Sequence, residues 1–106
     1  RKNEVFIRSI QLIEKSYMQE RGVEFYADKL CLSPKYLSAV SKSICGYTVQ
    51  ELVFKAIIRK SISLLKNTQQ DIQEISNAFG FPNASYFGTF FKKQVGMSPQ
   101  QYRKSL

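Results

Sequence analysis

A chain of 106 residues, 43% of them hydrophobic and carrying a net charge of +8, can bury one compact core or the cores of two small lobes, and is too apolar for a disordered tail. It contains no apolar run of about 18 residues, which excludes a membrane-spanning helix and any membrane partner of that kind. There is no histidine, and the two cysteines, Cys31 and Cys45, lack metal-ligand spacing, so neither a metal site nor a cofactor is expected.

Arg1 to Ile13 already mixes charge with apolar residues at helical spacing, so no secretory leader is expected. With free thiols in a reducing compartment, that points to the cytoplasm. The absence of an initial Met points to a fragment cut from something longer.

Phe6, Ile10, Ile13 and Tyr17 recur at spacings of four, three and four, which predicts one buried face of a first helix over about residues 3–20. Gly22 is expected to stop it, being free to take positive φ. A short second helix follows over about 24–31. Ser33-Pro34 then supplies an N-cap and a first-turn proline for a third helix, which runs to about Ile44 and ends at Gly46. Thr48 and Glu51 form a capping box that opens the longest helix, about 48–66, with Val49, Leu52, Val53, Ala56 and Ile57 as its apolar stripe. A variant box, Asp71 and Glu74, starts a fifth helix ending near Phe79. Asn83 starts a sixth that runs to about Val95 and ends at Gly96. Ser98-Pro99 with Gln101 opens a short seventh. The expected fold class is all-α: seven helices, no strand, and short loops.

Two stretches of this chain are near-duplicates. Leu32 through Gly46 and Phe81 through Gly96 each read as turn plus helix. From the tyrosines onward the offset is fifty: Tyr36 with Tyr86, Leu37 with Phe87, Lys42 with Lys92, Gly46 with Gly96. In the third helix Leu37, Val40 and Ile44, with Ser41 between them, are expected to face inward. In the sixth, Phe87, Phe90 and Phe91 take the matching places. The opposite faces read Lys35, Ser38, Ala39, Lys42 and Ser85, Gly88, Thr89, Lys92.

Small residues where a helix would sit deepest, and lysine where it would meet phosphate, suit insertion into a DNA major groove. The charge placement agrees. Residues 1–28 balance five basic against five acidic side chains, whereas residues 29–106 hold eleven basic against three acidic. A polyanion is the natural partner of such a surface, although a merely solubilising surface would have the same composition. The linking helix, at about 1.5 Å per residue, would span roughly 28 Å, near the 34 Å or so that separates adjacent major-groove faces.

Gly80-Phe81, Ser85-Tyr86-Phe87, Phe91-Lys92, Gly96, Ser98-Pro99 and Tyr102-Arg103 resemble the signature of the AraC/XylS family of bacterial transcription regulators. Ala27, Leu30, Ser33-Pro34, Tyr36-Leu37 and Gly46 resemble that family's first helix-turn-helix. The resemblance covers about residues 24–104. It implies two homeodomain-like helix-turn-helix lobes, about 3–46 and 71–106, joined by the helix at 48–66. It also implies sequence-specific binding of double-stranded DNA, as the output domain of a transcription regulator.

By position, the resemblance places base contacts on Lys35, Ser38 and Ala39 in the first lobe and on Asn83, Ala84, Ser85 and Thr89 in the second. Backbone contacts fall on Lys42, Lys92 and Lys93. RNA polymerase and a sensory domain in the parent chain stand as further expected partners.

The chain departs from the family pattern at three places. Ser41 replaces an aromatic residue. Cys31 stands at the turn position that Gly80 occupies in the second lobe. The base-facing positions lack arginine and glutamine. Readout is therefore expected to lean on Lys35, Asn83, thymine methyl contacts and DNA shape.

The alternative reading is a degenerate helix-turn-helix acting mainly through protein contacts. An enzyme is not expected, since the chain has no histidine, no paired acids on one face and no phosphate-cradling glycine loop.

Overall fold

The computed structural model describes all 106 residues. Seven helices follow one another without a strand: α1 Lys2–Ser16, α2 Val23–Lys29, α3 Pro34–Cys45, α4 Val49–Asn67, α5 Ile72–Ala78, α6 Ala84–Val95 and α7 Pro99–Lys104. No helix is long and apolar enough to cross a membrane. The chain forms two compact units, Arg1–Ala56 and Ile57–Leu106, and the division falls inside α4.

The helix ends are set by local chemistry. Thr48 and Glu51 exchange both bonds of a capping box, Thr48 N to Glu51 Oε1 at 2.8 Å and Glu51 N to Thr48 Oγ1 at 3.1 Å. Asp71 with Glu74 and Ser98 with Gln101 do the same. Ser33 and Asn83 each accept the backbone N–H three residues on, from Tyr36 and Tyr86. Gly46 and Gly96 close α3 and α6 in the left-handed region, at φ 86° and 98°.

In the first unit, Val5, Ile13, Tyr26, Ala27, Leu37, Val40, Val49 and Val53 make the core. Three expectations are corrected here. α1 stops at Ser16, and its buried line is Val5, Ser9 and Ile13, which leaves Phe6, Ile10 and Tyr17 half-buried. The cause is that α1 packs on both α2 and α3. A small residue suits that close approach, and Ser9 satisfies its hydroxyl on the Val5 carbonyl at 2.8 Å. Gly22 does not take positive φ; at φ −84° it is the N-cap of α2. α2 itself begins at Val23 and ends at Lys29, a little short of the expected span.

The loop ahead of α2 is fastened from two sides. The Gln50 side chain accepts from Val23 N and donates to the Arg21 carbonyl. Buried Tyr26 donates its hydroxyl to the Glu20 carbonyl at 2.7 Å. Burial, and next the Glu20 charge, push that phenol up to about 12.

The second unit has an aromatic core. Phe79 stacks on Phe87 with ring centroids 6.2 Å apart, Phe81 lies 5.3 Å from Phe87, and Phe91 meets both Phe87 and Tyr102. Ile57, Leu65 and Ile75 complete it, and the buried Ser76 hydroxyl donates to the Asn83 carbonyl at 2.9 Å, tying α5 to the start of α6.

Candidate nucleic-acid interface

The duplication includes the backbone hydrogen bonds of the turns as well as the helices. α3 and α6 are both 12 residues long and start fifty residues apart. The turn before each also repeats, at an offset of forty-nine. Cys31 N donates to the Asp28 carbonyl and Leu32 N to Ala27; Gly80 N donates to Asn77 and Phe81 N to Ser76. Pro82 is the residue that brings the second copy into its offset of fifty. Cys31 takes φ 58° and Gly80 takes φ 70°, so one left-handed residue makes the turn in each copy. Beyond the helices, the cap Thr48 matches Ser98, and Val49 at the head of α4 matches Pro99 at the head of α7.

The shared geometry sorts the side chains of each helix. On α3, Lys35, Ala39 and Lys42 are exposed and Ser38 is half-buried. On α6, Ser85, Thr89, Lys92 and Lys93 are exposed, as is the cap Asn83, while Ala84 is half-buried. Neither helix has an acidic residue in its first turn, and the last turns carry Lys42 in α3 and Lys92 and Lys93 in α6. The amide-rich end of each helix is thus left without a competing carboxylate, a setting that favours anions. The nearest carboxylate after α3, Glu51, is held below its usual range by the hydrogen bonds from Thr48, backbone first and side chain second.

Two exposed side chains are partly committed. Asn83 Oδ1 accepts from Tyr86 N at 2.8 Å, which turns the NH2 of the carboxamide outward as a donor. Thr89 gives its hydroxyl proton to the Ser85 carbonyl at 3.1 Å, and so offers a methyl group and oxygen lone pairs.

Two face assignments change. Ile44 is 38% exposed rather than inward. Ser41 takes the buried place, and its hydroxyl donates to the Tyr47 carbonyl at 2.7 Å as the chain turns past Gly46. That bond answers the absent aromatic: Ser41 is as buried as its counterpart Phe91. Gly88 belongs to the packing side, since a Cβ built there would stand 4.0 Å from Pro99 Cδ.

The tyrosines that mark the repeat lie outside the contacts the resemblance implies, yet Tyr36 is 38% and Tyr86 58% exposed, beside the same faces. Their recurrence at one register was the signal available. A large aromatic with a polar tip, repeated where neighbours are small, is more than a register mark.

A family model described as a helix-turn-helix domain matches residues 26–105. The chain is 33% identical over 82 residues to the HTH-type transcriptional regulator AlkR of Acinetobacter baylyi, covering 77% of this chain and 27% of AlkR. It is 32% identical over 92 residues to the melibiose operon regulatory protein of Escherichia coli, covering 87% of this chain and 30% of that one. The chain therefore spans about a third or less of the length of these two curated relatives. Among solved structures, the C-terminal domain of AraT, a response regulator from Geobacillus stearothermophilus, superposes with a TM-score of 0.87 at 36% identity, covering 96% of this chain and 85% of that one. With two capped helix-turn-helix units, a family model over most of its length and relatives that regulate transcription, the chain belongs to the AraC/XylS family of bacterial transcription regulators and is a DNA-binding domain of that family.

Proposed function

We propose that α3 and α6 enter two adjacent major grooves of one DNA site of roughly 20 base pairs, two helical turns, with α4 carrying both. The observation that supports this is the recurrence, at one register, of a capped and glycine-stopped helix whose outward side is small and cationic. Lys35, Ser38 and Ala39 on α3, and Asn83, Ala84, Ser85 and Thr89 on α6, are the base-facing residues of this reading. Lys42, Lys92 and Lys93 meet phosphate, and the exposed Tyr36 and Tyr86 add hydroxyl donors to it.

Sequence is then read with few two-point contacts. Lys35 and the outward NH2 of Asn83 seek acceptors on base edges, and the Ala39 and Thr89 methyls meet thymine methyls. DNA shape supplies the rest. The parent protein would carry the sensory domain and meet RNA polymerase, and this chain would have no catalytic step of its own.

A salt titration tests the electrostatic half of this reading. Between roughly 50 and 200 mM salt, affinity for duplex should fall steeply as counterions are released. Lys92→Ala should weaken all sequences alike and lower the log–log slope by about one. Flat binding across that range, or a Lys92→Ala protein with altered base preference, would count against it.

A further inference from the structure

The two recognition helices are backed differently. α3 packs on α1 and α2, and past Gly46 the chain runs straight into α4, whose first residue, Val49, is buried in the first unit. Behind α6, the same turn at Gly96 leads into α7, a separate helix of 6 residues. α7 holds α6 through the Tyr102 ring, edge-on to Phe91 at 5.8 Å, and through Pro99 at the half-buried Gly88. Toward α4 its side-chain hydrogen bonds are those of one residue: Arg103 Nε donates to the Leu65 carbonyl at 3.1 Å and Nη2 to Leu64 at 3.4 Å. These carbonyls lie in the last turn of α4, where a cation is favoured by the helix dipole; the Leu64 carbonyl also accepts from Thr68 N at 3.2 Å and Thr68 Oγ1 at 2.6 Å, so the bond to Leu65 is the main one. α3 is thus joined to α4 by the chain itself, whereas α7, which holds α6, is joined to the other end of α4 by a side chain.

We propose that Arg103 is a positioning residue for DNA recognition: by fastening α7 to the C-terminal end of α4 it sets the placement of α6, and so the spacing at which the second half-site is read. The assignment rests on the two-groove reading above. Guanidinium geometry suits it, because a planar fork can reach two successive carbonyls at once.

The test uses the whole chain, with Arg103→Met and Arg103→Lys as variants. Three duplexes are compared: a bipartite site selected from a random library, the same site with two base pairs inserted between its halves, and a duplex holding the second half-site alone. Circular dichroism monitors helicity and melting.

Wild type should lose roughly 10²-fold on insertion, as simultaneous engagement is broken. Arg103→Met should keep its helicity and its affinity for the lone half-site, bind the parental spacing about tenfold more weakly, and lose less than about threefold on insertion. Arg103→Lys, which keeps a cationic donor, should recover most of the spacing preference. A wild-type insertion penalty in Arg103→Met overturns the assignment. So does loss of helicity together with half-site binding, which would make Arg103 a fold staple. A wild type indifferent to insertion would instead remove the two-groove reading, and this assignment with it.

Discussion

Cys31 holds φ 58°, a region in which the chain otherwise places glycines only: Gly46, Gly80 and Gly96. A Cβ in the left-handed region costs about 1–2 kcal/mol. Glycine there removes that strain but adds about 0.5–1 kcal/mol of backbone entropy to the unfolded chain. Strain wins by a narrow margin, so Cys31→Gly should stabilise the first unit by about 0.5–1 kcal/mol in a urea melt; a loss of stability would mean that the thiol makes contacts worth more than the strain.

The sequence made this position legible because Gly80 stands at its counterpart. The commitments of Asn83 and Thr89 were not legible. The family resemblance places both residues against the bases, but a position in a motif says nothing about which atoms a side chain has already given to its own backbone. A cap and a back-bond occupy one partner site each, and only the geometry shows which remains.

The helices themselves were largely legible, because their ends are written in short-range chemistry. Three capping boxes, two first-turn prolines and the two glycine stops all act within four residues of the position they define. The faces were less so. Periodicity places Ile44 on the same side of α3 as Leu37, but Ile44 lies in the last turn, where the chain bends away and the Ser41–Tyr47 bond takes the inward position. The same holds for α1, whose buried residues are Val5, Ser9 and Ile13. Its buried line depends on contact with two partner helices, and a pattern read along one helix does not contain them.

The two units also build their cores differently at matching places. Phe91 is fully buried against Phe87 and Tyr102, where the first unit has Ser41 and a hydrogen bond. Phe91→Ala should therefore cost about 3–5 kcal/mol and unfold the second unit, detected as loss of helical signal at lower denaturant. A change under about 1 kcal/mol would show that the aromatic cluster closes over the gap.

At the scale of the molecule, the charge surplus, the repeat and the long helix were all visible without coordinates, because each is a property of spacing along the chain. The pairing of Cys31 with Gly80 was visible too, but not the matching pair of backbone hydrogen bonds that closes each turn. The functional claim at this scale is that one chain reads two half-sites.

Selection of bound duplexes from a random library measures this most directly. The account predicts a bipartite motif, two short half-sites centred about 10–10.5 base pairs apart, with Lys35→Ala blurring the preference in one half only. An unenriched pool, or a motif confined to a single half-site, would contradict it.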